Sequence, residues 1–306
     1  MKRKIYLTAL YTVTILVILF GTLGQSGVFS TGRNSQTALS DTIYFDPASF
    51  HSIDMDLSVV DLTVKQTFDQ TCSITYEASS QKLVPFSDVQ NDTLKVSQTI
   101  KNTNNLKSDQ LKLTLSVPAE TSFENLDFEL GIGDLKLENL NADNLTLAVG
   151  VGDLKVANSA FGRATIEAGV GDVAMDNCPI AKLNLEAGMG DVKLSALDDL
   201  SKYDLDISVG LGDLSLAGEK KSGFGREYIQ TGDGTYSYHI ESGTGDVKLS
   251  IDYTRVFPLP YIASHDILLG NLRKRSFKTW QQRKNRIYKR LPAKNFFYLT
   301  STARSP

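Results

Sequence analysis

At 306 residues and 41% hydrophobic content, the chain is long enough to bury a sizeable core. Its formal net charge of −3 conceals a division: residues 253–306 carry twelve Lys and Arg against one acid, Asp266, a net of +11, and residues 1–252 a net of −14. Two cysteines, Cys72 and Cys178, exclude a disulfide-dense scaffold or a CxxC-type zinc framework, and the acidic bulk of the chain gives no reason to expect a nucleic-acid partner.

The N-terminus sets the expected compartment. Lys2, Arg3 and Lys4 precede an uncharged, mostly apolar run from Ile5 to Leu23, about long enough to cross a hydrocarbon core as a helix. Positive charge stays cytoplasmic, so residues 1–4 are expected inside, 5–23 as a transmembrane signal-anchor, and everything after Leu23 outside the cell membrane. A cleaved signal peptide is the alternative, with imperfect small-residue sites around Gly21–Gly27. No cysteine lies near the run, which rules out a lipoprotein anchor. Residues 24–40, rich in Gly, Ser and Thr, read as a flexible linker.

From Ile43 onward the pattern is that of strands. Ile53–Val59 and Leu111–Val117 alternate apolar and polar residues, the period of a half-buried strand. A repeat then appears. Gly-x-Gly-Asp-[Leu/Val] occurs at Gly131–Leu135, Gly150–Leu154, Gly169–Val173, Gly188–Val192, Gly210–Leu214 and Gly243–Val247, with spacings of 19, 19, 19, 22 and 33 residues. An alternating apolar strand precedes each copy (Leu145/Leu147/Val149, for example) and a shorter one follows it (Leu154/Val156). Asn139, Asn158 and Asn177 recur 19 apart, each followed by an apolar site at Ala142, Phe161 or Ile180, which reads as a third, short arc of the coil. A fixed period near twenty marks a stacked array whose units cannot bury their apolar faces alone. The expectation is an all-β, single-stranded β-solenoid over residues 41–252, with its clear repeats in 126–252. Between Leu216 and Tyr238 the period breaks, and turn signals at Gly218–Gly223 and Gly232–Gly234 predict a hairpin excursion before a final coil.

The glycine pairs (131/133, 150/152, 169/171, 188/190, 210/212 and 243/245) suit a sharp corner between strands, so Gly131, Gly133, Gly150, Gly152, Gly169, Gly171, Gly188, Gly190, Gly210, Gly212, Gly243 and Gly245 are read as structural turn residues. The aspartates that follow, Asp134, Asp153, Asp172, Asp191, Asp213 and Asp246, admit two readings. They cap the turn by accepting local backbone N–H groups, or they form a ladder that holds a divalent metal such as Ca²⁺. A hard cation wants six to eight oxygens, and one Asp per coil beside a Lys favours capping. No cofactor is expected. His51, His239 and His265 share no motif, and no nucleophile elbow, HExxH or P-loop is present, so no catalytic residue is nominated. Cys178, on the position held by Leu140 and Ser159 in the preceding units, reads as a small buried filler. The basic segment 253–306 permits three readings: a membrane- or polyanion-binding tail, a small helix packed on the solenoid, or a non-native or disordered extension.

These Gly-x-Gly-Asp-[Leu/Val]-x-[Leu/Val] coils behind an N-terminal apolar segment resemble the bacterial putative-adhesin family of unknown function, whose β-strand-repeat members include LiaG-type proteins associated with cell-envelope stress. The resemblance covers roughly Asp41–Asp252. It implies a non-enzymatic β-solenoid outside the membrane that meets an envelope component, a surface protein or a glycan. It carries no established site residues, and the tail from Tyr253 departs from the family pattern. A carbohydrate-active β-helix is the competing function, as is a Ca²⁺-stabilised surface repeat. An enzyme of that kind would break the repeat on one face with a cluster of non-repeating charged residues.

Overall fold

The computed structural model describes residues 39–98, 100, 110–119 and 121–251. The strands in chain order are β1 (Leu39–Phe45), β2 (Ser52–Val59), β3 (Asp61–Thr67), β4 (Cys72–Ala78), β5 (Phe86–Gln90), β6 (Thr93–Ser97), β7 (Leu111–Pro118), β8 (Ser122–Ile132), β9 (Leu135–Glu138) and β10 (Asn141–Val151). They continue as β11 (Leu154–Ala157), β12 (Ala160–Val170), β13 (Val173–Asp176), β14 (Ile180–Met189), β15 (Val192–Ala196), β16 (Tyr203–Leu216), β17 (Glu219–Gln230), β18 (Tyr236–Thr244) and β19 (Val247–Ile251). Only short 3-10 turns accompany them among the described residues. The predicted span 5–23 and the tail 253–306 lie outside those residues, and among the described residues no helix is long and apolar enough to cross a membrane.

Each 19-residue repeat becomes one coil of a long and a short strand. Along β10, Leu145, Leu147 and Val149 point inward and are at most 3% exposed, while Asn144 and Thr146 face out. Coils stack parallel and in register. Leu126, Leu145, Ala164 and Leu183 form one buried row, and Phe128, Leu147, Ile166 and Leu185 the next. Leu137, Val156, Met175 and Leu194 line the opposite wall from the short strands. The long face runs β5-β6-β2-β8-β10-β12-β14-β18-β16-β17, and the short face β1-β4-β7-β3-β9-β11-β13-β15-β19-β16-β17. The core is the aliphatic filling between these two faces.

Four details differ from the reading of the sequence. The apolar arc at Ala142, Phe161 and Ile180 is not a third side: it is the start of the long strand. Alternation breaks there because Asp143 and Asn144 both face out, and the same slip recurs at Gly162 and Arg163. The last coil in sequence is not the last in space. β18 and β19 insert between β14/β15 and β16, so the stack ends on the β16–β17 hairpin, which turns at Ala217 and Gly218 with φ of 49° and 92°. The predicted excursion is thus a hairpin that closes the stack. β2 and β3 form a further coil beneath β8 and β9, which the glycine pattern did not mark. Finally, β1 begins at Leu39, inside the expected linker.

Candidate binding surface

The corner where a long strand gives way to a short one is built by backbone contact. The second glycine of each pair has φ between 133° and 152°, a region that side-chain-bearing residues rarely occupy. A Cβ on Gly171 would stand 2.0 Å from the carbonyl oxygen of Gly152 one coil below, and one on Gly169 would stand 2.4 Å from that of Gly150. The twelve predicted turn glycines therefore let successive corners stack at backbone distance. Asn139, Asn158 and Asn177 make the opposite corner with φ of 58°, 52° and 55°, and Asn177 donates from Nδ2 to Asn158 Oδ1 at 2.7 Å.

All six predicted aspartates stand in one column, and five of them cap the neighbouring coil rather than their own turn. Asp134 Oδ1 accepts from the Asp153 N–H at 2.9 Å, Asp153 from Asp172 at 3.0 Å, and Asp172 from Asp191 at 2.9 Å. Asp191 then accepts from Asp246 at 3.0 Å and Asp246 from Asp213 at 2.9 Å. A seventh member, Asp61, accepts the Asp134 N–H at 3.2 Å. It was missed because its coil carries Ser58 and Val60 where the others carry glycines. There the Val59 N–H is met by the Gln98 side chain at 3.0 Å. The signal that could have found it is Asp61-Leu62-Thr63-Val64, which keeps the Asp-[Leu/Val]-x-[Leu/Val] half of the repeat.

Lysines occupy much of the column's remaining capacity. Lys193 Nζ lies 3.2 Å from Asp191 Oδ2 and 4.0 Å from Asp172 Oδ2, Lys155 lies 3.8 Å from Asp153, and Lys220 pairs with Asp213. Lys136 instead meets Glu138 at 2.8 Å. The Asp246 N–H, followed by Lys193, holds the Asp191 carboxyl below the usual carboxylate range. Among the described residues, no group of three or more His, Cys, Asp or Glu gathers closely enough to hold a metal ion.

The outward side of the long face carries an acidic row in register: Asp56, Glu129, Glu167, Glu186 and Glu241, interrupted by Ala148. In the adjoining row Asp127 lies opposite Asp54, and partial burial together with the Asp54 charge raises its carboxyl above the ordinary range. The two described histidines stay apart, His51 against Asp92 at 2.8 Å and His239 between Asp206 and Glu241 at 3.1 and 3.3 Å. Hydrogen bonding to Asp92 raises His51. A cleft of about 370 Å³ at the N-terminal end is lined by Asp54, Asp56, Phe86, Asp88, Gln90 and Lys95, and a shallow hollow of about 560 Å³ by Leu200, Ser201, Gln230 and Asp233. Both cysteine thiols are buried and free, and burial pushes each up to about 12, which makes them unreactive filler.

This geometry defines a repeat protein with two extended ladder faces. Residues 50–257 match the profile of the Toastrack DUF4097 family. The chain belongs to that family, in agreement with the resemblance drawn from its coils. Similar solved structures include a "putative cell adhesion protein" of Clostridium sporogenes (15% identity over 71% of this chain and 100% of that chain, TM-score 0.46). Others are a "putative adhesin" of Bacteroides fragilis (14%, 70% and 98%, TM-score 0.40) and a "putative lipid binding protein" of Parabacteroides distasonis (13%, 72% and 98%, TM-score 0.29). Likenesses this distant add nothing to the chain's own geometry. No curated protein matches the sequence.

Proposed function

We propose that this Toastrack protein is a membrane-anchored binding or scaffold module of the cell envelope, adhesin-like or tied to envelope stress, and not an enzyme. The apolar run 5–23 behind Lys2, Arg3 and Lys4 supports the anchor and an extracytoplasmic orientation. The observation that carries the binding reading is the long face itself, where Glu129, Glu167, Glu186 and Glu241 share one outward row, interrupted at Ala148, without converging on a reactive cluster. Such a row suits a partner that is extended and cationic on the matching side, an envelope protein or an amine-bearing glycan. A row of like charges in adjacent strands repels itself, so it is retained at a cost in stability that a partner would offset.

The test uses the full chain in its native membrane. External protease should remove the domain from intact cells without cell wall, while a cytoplasmic control survives. Isolated cell-wall fractions should be retained by the wild-type chain in low salt. Glu167→Lys with Glu186→Lys should weaken that retention at least tenfold without lowering the melting temperature. Retention that ignores both salt and the charge reversals would remove the long face as the binding surface.

A further inference from the structure

We infer that the outer edge of β17 is an association surface for a second copy of this chain. The proposal does not depend on what the long face binds. Among the described residues, β17 pairs with β16 alone, so a 12-residue strand closes the stack with its far edge open. The other end of the stack differs. It finishes on two separate short strands, β1 and β5, of 7 and 5 residues, and prolines stand beside them at Pro47 and Pro85. An open edge is a template for further pairing, and proteins blunt edges they do not use with short strands, proline or charge. β17 is neither short nor interrupted by proline, and although it carries charge of both signs, apolar side chains stand exposed along it. Phe224 and Ile229 are 75% and 74% exposed, and Leu211 beside Phe224 is 53% exposed.

The choice of partner follows from the strand's own symmetry. β17 follows β16 around the corner, with 226–230 opposite the long-strand segment 205–209 and 219–222 opposite 213–216. Phe224 sits at the middle of that bend. A strand bent at its midpoint matches its own reverse, so a two-fold axis through Phe224 lays the long-face arm of one copy along the short-face arm of the other. In that antiparallel register Phe224 meets Phe224, and the Lys221 position falls opposite Glu227 twice. Shifting by two residues in one direction instead opposes Glu219 to Glu227 and Lys220 to Arg226, pairs of like charge. The self-paired register thus joins two stacks end to end through an isologous interface.

Phe224→Cys in the full chain in detergent tests this. Cys72 and Cys178 are 0% and 4% exposed and should stay silent. Mild oxidation should give a disulfide-linked dimer, while Tyr44→Cys, 69% exposed at the opposite end, should not crosslink. Phe224→Asp should convert a species of twice the monomer mass to monomer in sedimentation, with no loss of thermal stability. Monomer at every concentration without a crosslink overturns the proposal, as does equal crosslinking at both sites. Crosslinking of Phe224→Cys only to a different protein assigns the edge to another partner and also overturns it.

Discussion

At the scale of single residues, the corner is decided by one missing atom. A Cβ on Gly171 would need φ of +142° and would stand 2.0 Å from a carbonyl oxygen, so neither the residue nor its neighbour can adjust cheaply. Gly171→Ala should destabilise by about 3 kcal/mol or more. Gly225 also has positive φ, +63°, but nothing lies within 4 Å of its Cβ position, so Gly225→Ala should cost only about 1 kcal/mol. Urea melts of the two variants check this, and equal losses would mean the corners are not held at backbone contact. The aspartate beside the corner contributes by hydrogen bonding. Asp172→Ala leaves the Asp191 N–H without its acceptor and should cost about 1–2 kcal/mol, whereas Asp172→Asn retains a side-chain oxygen and should lose less than half of that. A charge-dependent role would instead make the two variants equally damaging.

At the scale of strands and coils, stacking forces like positions together, and misfits show as local costs. Ser242 lies in register with Ala187 and Val209, at a position that is apolar in every other coil from Leu130 on. Its hydroxyl is the one buried side-chain polar atom without a partner among the described residues. Ser242→Ala should therefore raise stability by up to about 1 kcal/mol, and a loss would reveal a hydrogen bond there. Asp127 is a misfit of charge. Its folded carboxyl titrates above the unfolded value, so its contribution to stability is present below the unfolded value and is lost as pH rises through the folded one. Asp127→Asn should raise the melting temperature at neutral pH, and the gain should vanish below the ordinary carboxylate range. The coil was legible in the sequence because 19-residue stacking writes itself as identical spacing of Gly, Asp and Leu. What was not legible arises where stacking leaves no local mark. The insertion of β18 and β19 before β16 depends on which edges meet in space, and the Asp61 coil carries Ser58 and Val60 in place of the glycine pair, so the motif does not mark it. The apolar arc was misread because the outward pair at Asp143 and Asn144 mimics a turn. The aspartates were placed on the right residues but with the wrong acceptor geometry, since sequence proximity suggests a local bond and stacking supplies one from the next coil.

At the scale of the whole molecule, the aspartate column raises the question of whether the stack depends on metal. Seven carboxylates from Asp61 to Asp213 run the length of the coil array, the arrangement that a Ca²⁺-dependent repeat would need. Yet many of these oxygens are committed. One from each of Asp61, Asp134, Asp153, Asp172, Asp191 and Asp246 accepts a backbone N–H, and lysines stand against Asp153, Asp172, Asp191 and Asp213. A calcium ion seeking six to eight oxygens would have to break these contacts and bring ammonium groups within its own field. Asp191 shows the balance directly, since its lowered folded value means that the ionised form is stabilised by the Asp246 N–H and Lys193. That contribution is present above the unfolded carboxylate value and is lost as pH falls through the folded one. The full chain in detergent should accordingly melt at the same temperature in EDTA and in millimolar Ca²⁺, and should lose stability on acidification. Were the column a cation site, calcium at about a thousandfold over its dissociation constant would add about 4 kcal/mol per site, and several coils would share the gain. A melting temperature that drops with EDTA and recovers with Ca²⁺ would therefore make the lysines bystanders and the column a metal ladder.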